Sequence, residues 1–323
     1  MACRPLKIGF LGPILETSSW HARWISRAIE IAESELPEFA QRNAELCIAD
    51  DGASGSGGLA AAQMLLSKGI DTAAGLFSSS AAAAAIPLLE AGGCGVVIAG
   101  ANLEGLTAAP GVFRVCDTTA EYGHWIASIV RRLPVREISM HLDSTAFGSS
   151  IGTMLPHGLN GGSERRGKAI LCIGQFQFAN RILQEQAASI SPDDIVLLTD
   201  DCQSAHKTRM LANLLPGAII IVAGFSVQPA PGRAWAQEIA VRRWGEWPGA
   251  FFHETIAAIE AAIHLARTRC LEGKIATVLG DLEFDHSGEA RPQRMALYAG
   301  KGDGLIEYRT VDDLLAALVS RRD

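Results

Sequence analysis

Residues 6–13 read LKIGFLGP, a short apolar run that ends at a glycine and a proline. Such a run, closed by turn-forming residues, predicts a core β-strand. A helical pattern follows over residues 20–33, and similar pairs of an apolar run and a helical pattern recur along most of the chain. Strands that alternate with helices in this way predict crossover units and a parallel sheet.

The same patterns give the expected positions of the main elements. The predicted core strands cover residues 6–11, 45–49, 72–77, 96–99, 138–142, 169–173, 195–199 and 218–223. The predicted helices cover residues 20–33, 59–67, 81–91, 120–132, 151–159, 179–188, 205–214 and 234–243. Towards the C-terminal end we expect a long helix, a hairpin with a polar turn, and a final helix over residues 251–270, 277–299 and 311–319.

A chain of 323 residues is longer than an ordinary domain with a single hydrophobic core. It suits two domains of about 150 residues, each with its own core. The predicted fold class is therefore α/β, with two doubly wound parallel-sheet lobes. Lobe 1 is expected to comprise residues 1–117 and 249–285. Lobe 2 is expected to comprise residues 118–248 and 286–323.

Charge and hydropathy exclude several kinds of partner. The chain has 35 acidic and 28 basic residues, a net charge of -7 and no basic stripe, so direct binding of nucleic acid is not expected. No apolar stretch approaches about 18 residues, which argues against membrane insertion. The seven cysteines are odd in number and widely spread, as is typical of reduced thiols. Together with the lack of an export signal, they predict a cytoplasmic location; the alternative is the periplasm if a signal peptide was removed.

The loops after the predicted strands carry the candidate ligand-binding residues, because ligands of open parallel sheets bind beyond the carboxyl ends of the strands. These candidates are Trp20, Ser78, Ser79, Gly100 and Asn102 in lobe 1, and Phe147, Asp200 and Phe225 in lobe 2. Hydroxyls, amides, aromatic rings and acids suit a small polar molecule held in a cleft between the lobes. Each residue also has an ordinary structural interpretation, since a serine before a helix often only caps it.

Four stretches resemble the type I periplasmic binding proteins, in particular the leucine/isoleucine/valine-binding branch that includes cytosolic amide sensors. They read IGFLGP at 8–13, DDG at 50–52, GLFSSS at 75–80 and GDLEFDHSG at 280–288. The resemblance covers almost the full chain. It implies two lobes joined by three crossings, a ligand held mainly by lobe 1, and closure of the lobes about a hinge.

The resemblance also implies roles for single residues. Ser78 lies where the family binds the ligand carboxylate, and Gly100 and Asn102 lie where it uses a backbone carbonyl and a threonine. Phe147 occupies the position of a tyrosine that closes over the ligand, and Phe225 lies near the position of an acid that meets the ligand ammonium group.

These two phenylalanines are departures from the family pattern. Neither side chain can donate a hydrogen bond or neutralise an amine, which argues against a standard branched-chain amino acid. Asp200, whose region corresponds to another second-lobe contact, or Glu104 could supply the missing acid. Otherwise the resemblance implies an amide or an aromatic or apolar carboxylate as the ligand.

Three functions follow as hypotheses. The first is the solute-binding component of an ABC-type uptake system, with a membrane permease as partner and an amino-acid-like, amide or small carboxylate ligand. The second is a cytosolic ligand sensor that regulates a partner protein. The third is a hydrolase, because residues 148–152 read GSSIG, the pattern of a nucleophile elbow around Ser150. Residues 144–147 separate that serine from the preceding strand, so we expect no enzyme. His206 follows Cys202 by four residues and could share a metal with it, but no second pair completes a site, so we expect neither a metal nor a cofactor.

Overall fold

The structure is a computed structural model of the chain. It describes residues 4–15, 21–156, 167–228, 230–291, 295–301, 304–308 and 310–319. The chain divides into two compact units. Unit 1 comprises Met1–Asp117 and Val227–Gln293, and unit 2 comprises Thr118–Ser226 and Arg294–Asp323. The chain therefore passes between the units three times.

Strands and helices alternate through most of the chain. The helices are α1 (Ala22–Glu35), α2 (Pro37–Ala40), α3 (Gly55–Ser67), α4 (Ser79–Ala91), α5 (Thr119–Arg132), α6 (Ala146–Met154), α7 (Phe176–Gln186), α8 (Ala205–Leu214), α9 (Trp235–Trp244), α10 (Phe252–Thr268) and α11 (Val311–Val319). The strands are β1 (Leu6–Gly12), β2 (Ala44–Asp50), β3 (Thr72–Gly75), β4 (Gly95–Ile98), β5 (Val112–Arg114), β6 (Glu137–Leu142), β7 (Lys168–Ile173), β8 (Ile195–Leu198), β9 (Ile219–Phe225), β10 (Lys274–Thr277), β11 (Gly280–Phe284), β12 (Ala290–Arg291), β13 (Met295–Lys301) and β14 (Gly304–Tyr308). Each predicted core strand overlaps one of these strands.

Unit 1 is built on a parallel sheet in the order β2-β1-β3-β4-β5. The apolar residues of β1 are fully buried at its centre, which explains why the opening run forms a core strand. Helices α3 and α4 pack against each other and begin at serine caps: the Ser54 hydroxyl accepts a hydrogen bond from the amide of Gly57, and that of Ser78 from the amide of Ala81.

Helix α10 is the most deeply buried helix of unit 1. Almost every residue from Phe252 to Ala266 is buried, because the helix packs against β1, β3 and β4 as well as α1 and β10. An alanine-rich helix with apolar residues around most of its circumference is expected in such a central position. Part of α10 joins α1, α9 and the β10–β11 strands in a second hydrophobic core.

Unit 2 is built on a six-stranded sheet in the order β14-β13-β9-β8-β7-β6. Strands β6 to β9 are parallel, but β13 is antiparallel to both β9 and β14. The buried β9 sequence IIIVAGF therefore has a neighbour on each side. Helix α6 begins at Ala146, earlier than the predicted helix over residues 151–159, because the Thr145 hydroxyl caps it.

The predicted hairpin over residues 277–299 is wrong in its pairing. The polar turn after β11 is present, but β11 pairs with the short β12, whereas β13 pairs with β9 of unit 2. One edge of β11 pairs with β10, and the other pairs with Ala290 and Arg291 of β12. Burial of the apolar β13 residues against β9 accounts for the other pairing.

The two later boundaries between the units also differ from those expected for the lobes. Residues 227–248, expected in lobe 2, lie in unit 1, where α9 packs against α1. Residues 286–293, likewise expected in lobe 2, also lie in unit 1, where Glu289 forms a buried ion pair with Arg114. The first boundary between the units lies after Asp117.

Candidate functional site

Candidate residues of unit 1 lie at the carboxyl edge of its sheet, in the loops after β3 and β4. The hydroxyl of Ser79, the first residue of α4, lies 3.5 Å from the side-chain oxygen of Asn102 and donates a hydrogen bond to it. Both side chains are half-buried. The structure thus brings together two predicted site residues from separate loops, whereas Trp20 lies outside the described residues.

Ser78 is engaged in local hydrogen bonds. Its hydroxyl donates to the carbonyl of Ala53 over 3.1 Å, lies 2.8 Å from the Ser80 hydroxyl, and accepts from the amide of Ala81. The residue caps α4 and joins the loops after β2 and β3. A contact between Ser78 and a ligand carboxylate, as the resemblance implies, remains a prediction and would compete with these bonds.

Gly100 leaves room for two aromatic rings at the same edge. A Cβ atom at this position would lie 2.7 Å from a ring atom of Phe77 and 3.0 Å from one of Phe251. The rings of Phe77 and Phe251 lie 5.4 Å apart in an edge-to-face arrangement, and the His21 ring lies 4.7 Å from that of Phe251. Sequence reasoning missed Phe251 and His21, because neither follows a strand of the sheet.

Backbone strain is concentrated at this edge. Three of the five non-glycine residues with positive φ in the described part of the chain lie here: Ala53 in the loop after β2, Leu76 in the loop after β3, and Phe251 directly before α10, with φ values of 51°, 61° and 67°. Such conformations cost free energy and persist where the surrounding structure enforces them, often at binding sites. The strain supports a functional interpretation of the edge.

A buried ion pair holds the loop that carries Gly100 and Asn102. The Arg114 guanidinium is fully buried and donates to both carboxylate oxygens of Glu289, over 2.8 and 2.5 Å. The same guanidinium donates to the carbonyls of Ala101 and Leu103. Sequence reasoning missed this pair, since its two members are 175 residues apart.

Asp51, directly after β2, is a buried acid in unit 1. Its side chain is fully inaccessible, and only one of its oxygens accepts a hydrogen bond, from the amide of Ala53 over 2.9 Å. Burial raises the pKa of Asp51 to about 6, and the neighbouring charge of Asp50 adds to the rise. The carboxyl group therefore titrates close to neutral pH.

Candidate residues of unit 2 gather around one buried tyrosine. The Tyr122 ring lies 5.8 Å from that of Phe147 and 5.6 Å from that of Phe225. Its hydroxyl donates to the carbonyl of Ala223 over 2.6 Å and accepts from the amide of Asp200 over 3.0 Å. Burial raises the pKa of Tyr122 well above its usual value, so the hydroxyl remains a neutral donor.

Phe225 is fixed by hydrogen bonds to its backbone. Its amide donates to Gln203 over 2.9 Å, and its carbonyl accepts from Gln203 and from the Tyr298 hydroxyl, over 2.7 Å each. The three predicted residues of unit 2 thus share one rigid aromatic environment. Tyr122 itself was missed because it lies inside a predicted helix, where an aromatic residue ordinarily indicates only core packing.

Asp143 braces the neighbouring loops of unit 2. Its carboxylate accepts hydrogen bonds from the amide and hydroxyl of Thr145 after β6, and from the amide of Gln175 after β7. The sequence Asp143-Ser144-Thr145 has the composition of an Asx turn, which is the signal that could have identified it.

Solved structures are similar to this chain over almost its whole length. A leucine-binding protein of Thermotoga maritima has a TM-score of 0.78 at 15% identity, covering 95% of this chain and 99% of that one. The branched-chain amino acid transporter substrate-binding protein of Streptococcus pneumoniae, in complex with isoleucine, has a TM-score of 0.75 at 15% identity, covering 94% and 100%. A solute-binding protein of R. palustris, in complex with benzoate, has a TM-score of 0.71 at 13% identity, covering 95% and 96%. No protein-family model and no curated protein matches the chain in sequence.

The chain has the fold of the type I periplasmic binding proteins. This finding confirms the predicted fold class and the resemblance at the level of architecture. At these identities the likeness establishes the binding-protein fold and assigns no ligand to the chain.

Within this binding-protein fold, the position of Ser150 differs from that of a nucleophile elbow. Ser150 is the fifth residue of α6, and its carbonyl accepts a hydrogen bond from the Thr153 hydroxyl. A nucleophile elbow needs the serine on a tight turn between a strand and a helix. The hydrolase hypothesis therefore loses the structural context on which it depended.

The described residues contain no group of three or more His, Cys, Asp or Glu side chains placed to hold a metal ion. Across the same ranges, no helix is long and apolar enough to cross a membrane.

Proposed function

We propose that this chain is a non-enzymatic solute-binding protein of an ABC-type uptake system. The observation that carries the proposal is the convergence of candidate residues at the carboxyl edge of each unit's sheet: Ser79 meets Asn102 in unit 1, and Phe147, Asp200 and Phe225 surround Tyr122 in unit 2. The similar proteins from T. maritima, S. pneumoniae and R. palustris bind or transport small solutes and support this function. A membrane permease is the corresponding partner.

The chemistry of the edges favours a ligand with a polar end and an apolar or aromatic body. Hydroxyl and amide groups of Ser79 and Asn102 suit a carboxylate or an amide, while Phe147 and Phe225 offer rings without a hydrogen-bonding group. The similar structures include complexes with isoleucine and with benzoate. We therefore propose that the ligand is either an amide or a carboxylate with an aromatic or apolar body. Amino-acid-like ligands are kept in the test panel.

The proposed mechanism is closure of the two units, with the segments that connect them acting as the hinge. A ligand that gains contacts with residues of both units binds the closed state better and shifts the population towards it. A permease would then recognise that state. The three passages of the chain between the units provide the connecting segments.

A cytosolic sensor is the second candidate, and one observation favours it. The described cysteines Cys47, Cys94, Cys116, Cys172, Cys202 and Cys270 are all free. Free thiols of this number are typical of a reducing compartment. The transporter proteins among the similar structures favour the periplasmic alternative over the predicted cytoplasmic location, and fractionation of cells that express the native gene distinguishes the two.

A thermal-shift screen tests the proposed function. The panel contains leucine, isoleucine, acetamide, benzoate and 3,4-dihydroxybenzoate, each titrated against the purified chain. A ligand that binds only the folded form at about 100 times its Kd stabilises the protein by about 2.7 kcal/mol, so we expect a saturable rise of about 5 °C or more in Tm.

Matched serine variants locate the binding. Ser79→Ala should reduce the shift, because it removes a hydroxyl at the candidate site, whereas Ser34→Ala in α1 should leave it unchanged, since the Ser34 hydroxyl bonds only within and beside its own helix. Absence of a shift for every member of the panel, or equal loss in both variants, would contradict the proposal.

A further inference from the structure

The Arg114–Glu289 ion pair lies where three segments of unit 1 meet. Arg114 ends β5, three residues before Asp117, where the chain first leaves unit 1. Glu289 lies four residues before Gln293, where the chain leaves unit 1 for the last time. The third segment is the loop of residues 101–107, which carries Asn102 and follows β4.

Arg114 holds this loop by its backbone. Its Nη1 atom donates to the carbonyl of Ala101 over 3.1 Å and to that of Leu103 over 2.8 Å. These two carbonyls belong to the residues on either side of Asn102. The planar guanidinium can make both bonds while its other nitrogens bind a carboxylate, and a lysine ammonium has no equivalent geometry. One buried side chain therefore fixes the backbone on both sides of a candidate ligand residue.

Glu289 holds the far end of the same loop. Its Oε1 atom accepts a hydrogen bond from the Thr107 hydroxyl over 2.7 Å, in addition to the two bonds from Arg114. The turn that brings Glu289 into place depends on Gly288, which has a φ of 79° and whose added Cβ would lie 2.4 Å from the carbonyl oxygen of Val112. The loop is thus attached to one ion pair at its beginning and at its end.

Stability alone does not require such a pair. Taking two charges out of water is costly, and well-packed apolar residues of similar volume often stabilise a fold as well or better. The arrangement does specify a single loop conformation, because every bond of the guanidinium has a fixed direction.

We propose that Arg114 and Glu289 are positioning residues that hold residues 101–107 in the conformation that presents Asn102 to the ligand. This inference rests on the proposed function for the role of Asn102. Arg114 is fully buried and acts on the ligand through the loop, not by contact.

A matched pair of threonine variants tests the inference by amide hydrogen exchange. Thr107→Val removes the hydrogen bond from the loop to Glu289. Thr72→Val, at the start of β3, removes a comparable buried hydrogen bond, which the Thr72 hydroxyl donates to the carbonyl of Ala262 over 3.0 Å. We expect Thr107→Val to speed exchange in residues 101–107 about tenfold, and Thr72→Val to leave that segment unchanged.

Glu289→Gln provides a second variant that keeps the side-chain shape and removes the charge. It should also speed exchange in residues 101–107. These two loop variants, Thr107→Val and Glu289→Gln, should each weaken the binding of benzoate or isoleucine, whichever the wild type binds, about tenfold. Thr72→Val, adjusted for any change in overall stability, should retain wild-type affinity.

Two results would overturn the positioning role: unchanged exchange in residues 101–107 for both loop variants, or equal acceleration by Thr72→Val. The exchange measurement needs no ligand. If no ligand of the panel binds the wild type, the proposed function fails while the exchange result still decides whether the pair positions the loop.

Discussion

Replacing Arg114 by methionine should lower the free energy of unfolding of unit 1 by about 3 to 5 kcal/mol. The variant leaves the carboxylate of Glu289 buried without its cation, and it removes the donor shared by the carbonyls of Ala101 and Leu103. Urea unfolding, followed by tryptophan fluorescence and circular dichroism, measures the loss.

Two further variants distinguish the loss of the buried ion pair from the general effect of replacing a charged side chain by an apolar one. Lys274→Met removes a lysine that pairs with Glu283 at the surface of unit 1, where both side chains are well exposed, so its cost should stay below about 1 kcal/mol. The double variant Arg114→Met with Glu289→Leu should recover much of the stability, because no buried charge remains. Equal losses for Arg114→Met and Lys274→Met would contradict this account of the pair.

Asp51→Asn should remove a pH dependence from the stability of unit 1. The pKa of Asp51 is about 6 in the folded chain, raised by burial, against about 3.9 in an unfolded chain. Between these values the folded state binds more protons than the unfolded state, so stability falls as the pH rises. The wild type should lose about 2 to 3 kcal/mol from this carboxyl group between about pH 4 and pH 7, and the variant should not.

Urea midpoints at several pH values measure the difference between Asp51→Asn and the wild type. That difference should shift in favour of the variant as the pH rises. Asp281→Asn, which changes an exposed acid of the same unit, serves as the control. A difference between Asp51→Asn and the wild type that stays constant from pH 4 to pH 8 would rule out a titration of Asp51 in this range.

Local periodicity was enough to predict the eight core strands β1 to β4 and β6 to β9, and most helices. Residues 8–12 of β1 are buried in an unbroken run, and the capping hydroxyls of Ser54 and Ser78 mark the beginnings of α3 and α4. These features depend on neighbours within a few residues. The pairing of β13 with β9 was missed because an alternating strand after a polar turn fits equally well as the second strand of a hairpin.

The candidate site was predictable only in outline. The rule that ligands meet the carboxyl ends of strands located Ser79, Asn102, Phe147 and Phe225 at the edges where the structure has them. It could not locate groups that reach these edges from distant segments. Phe251 comes from the residue before α10, and the contact of Arg114 with Glu289 joins segments that no local pattern connects.

The relation between Gly100 and the aromatic rings illustrates this limit. From the sequence, Gly100 indicates a turn or a close approach, but its partner is not specified. The structure supplies the partners, Phe77 and Phe251. Phe251 is much further from Gly100 in the sequence than Phe77 is. Long-range packing of this kind depends on the whole fold, and a single sequence does not encode it in any local pattern.

Calorimetric titration of the best ligand from the panel tests the central claim of the proposed function, that Asn102 and Phe147 each contribute to ligand binding. Asn102→Ala in unit 1 and Phe147→Ala in unit 2 should each weaken binding at least about tenfold, with Asn43→Ala and Phe178→Ala as matched controls that retain wild-type affinity. Unchanged Kd values for Asn102→Ala and Phe147→Ala would contradict the claim.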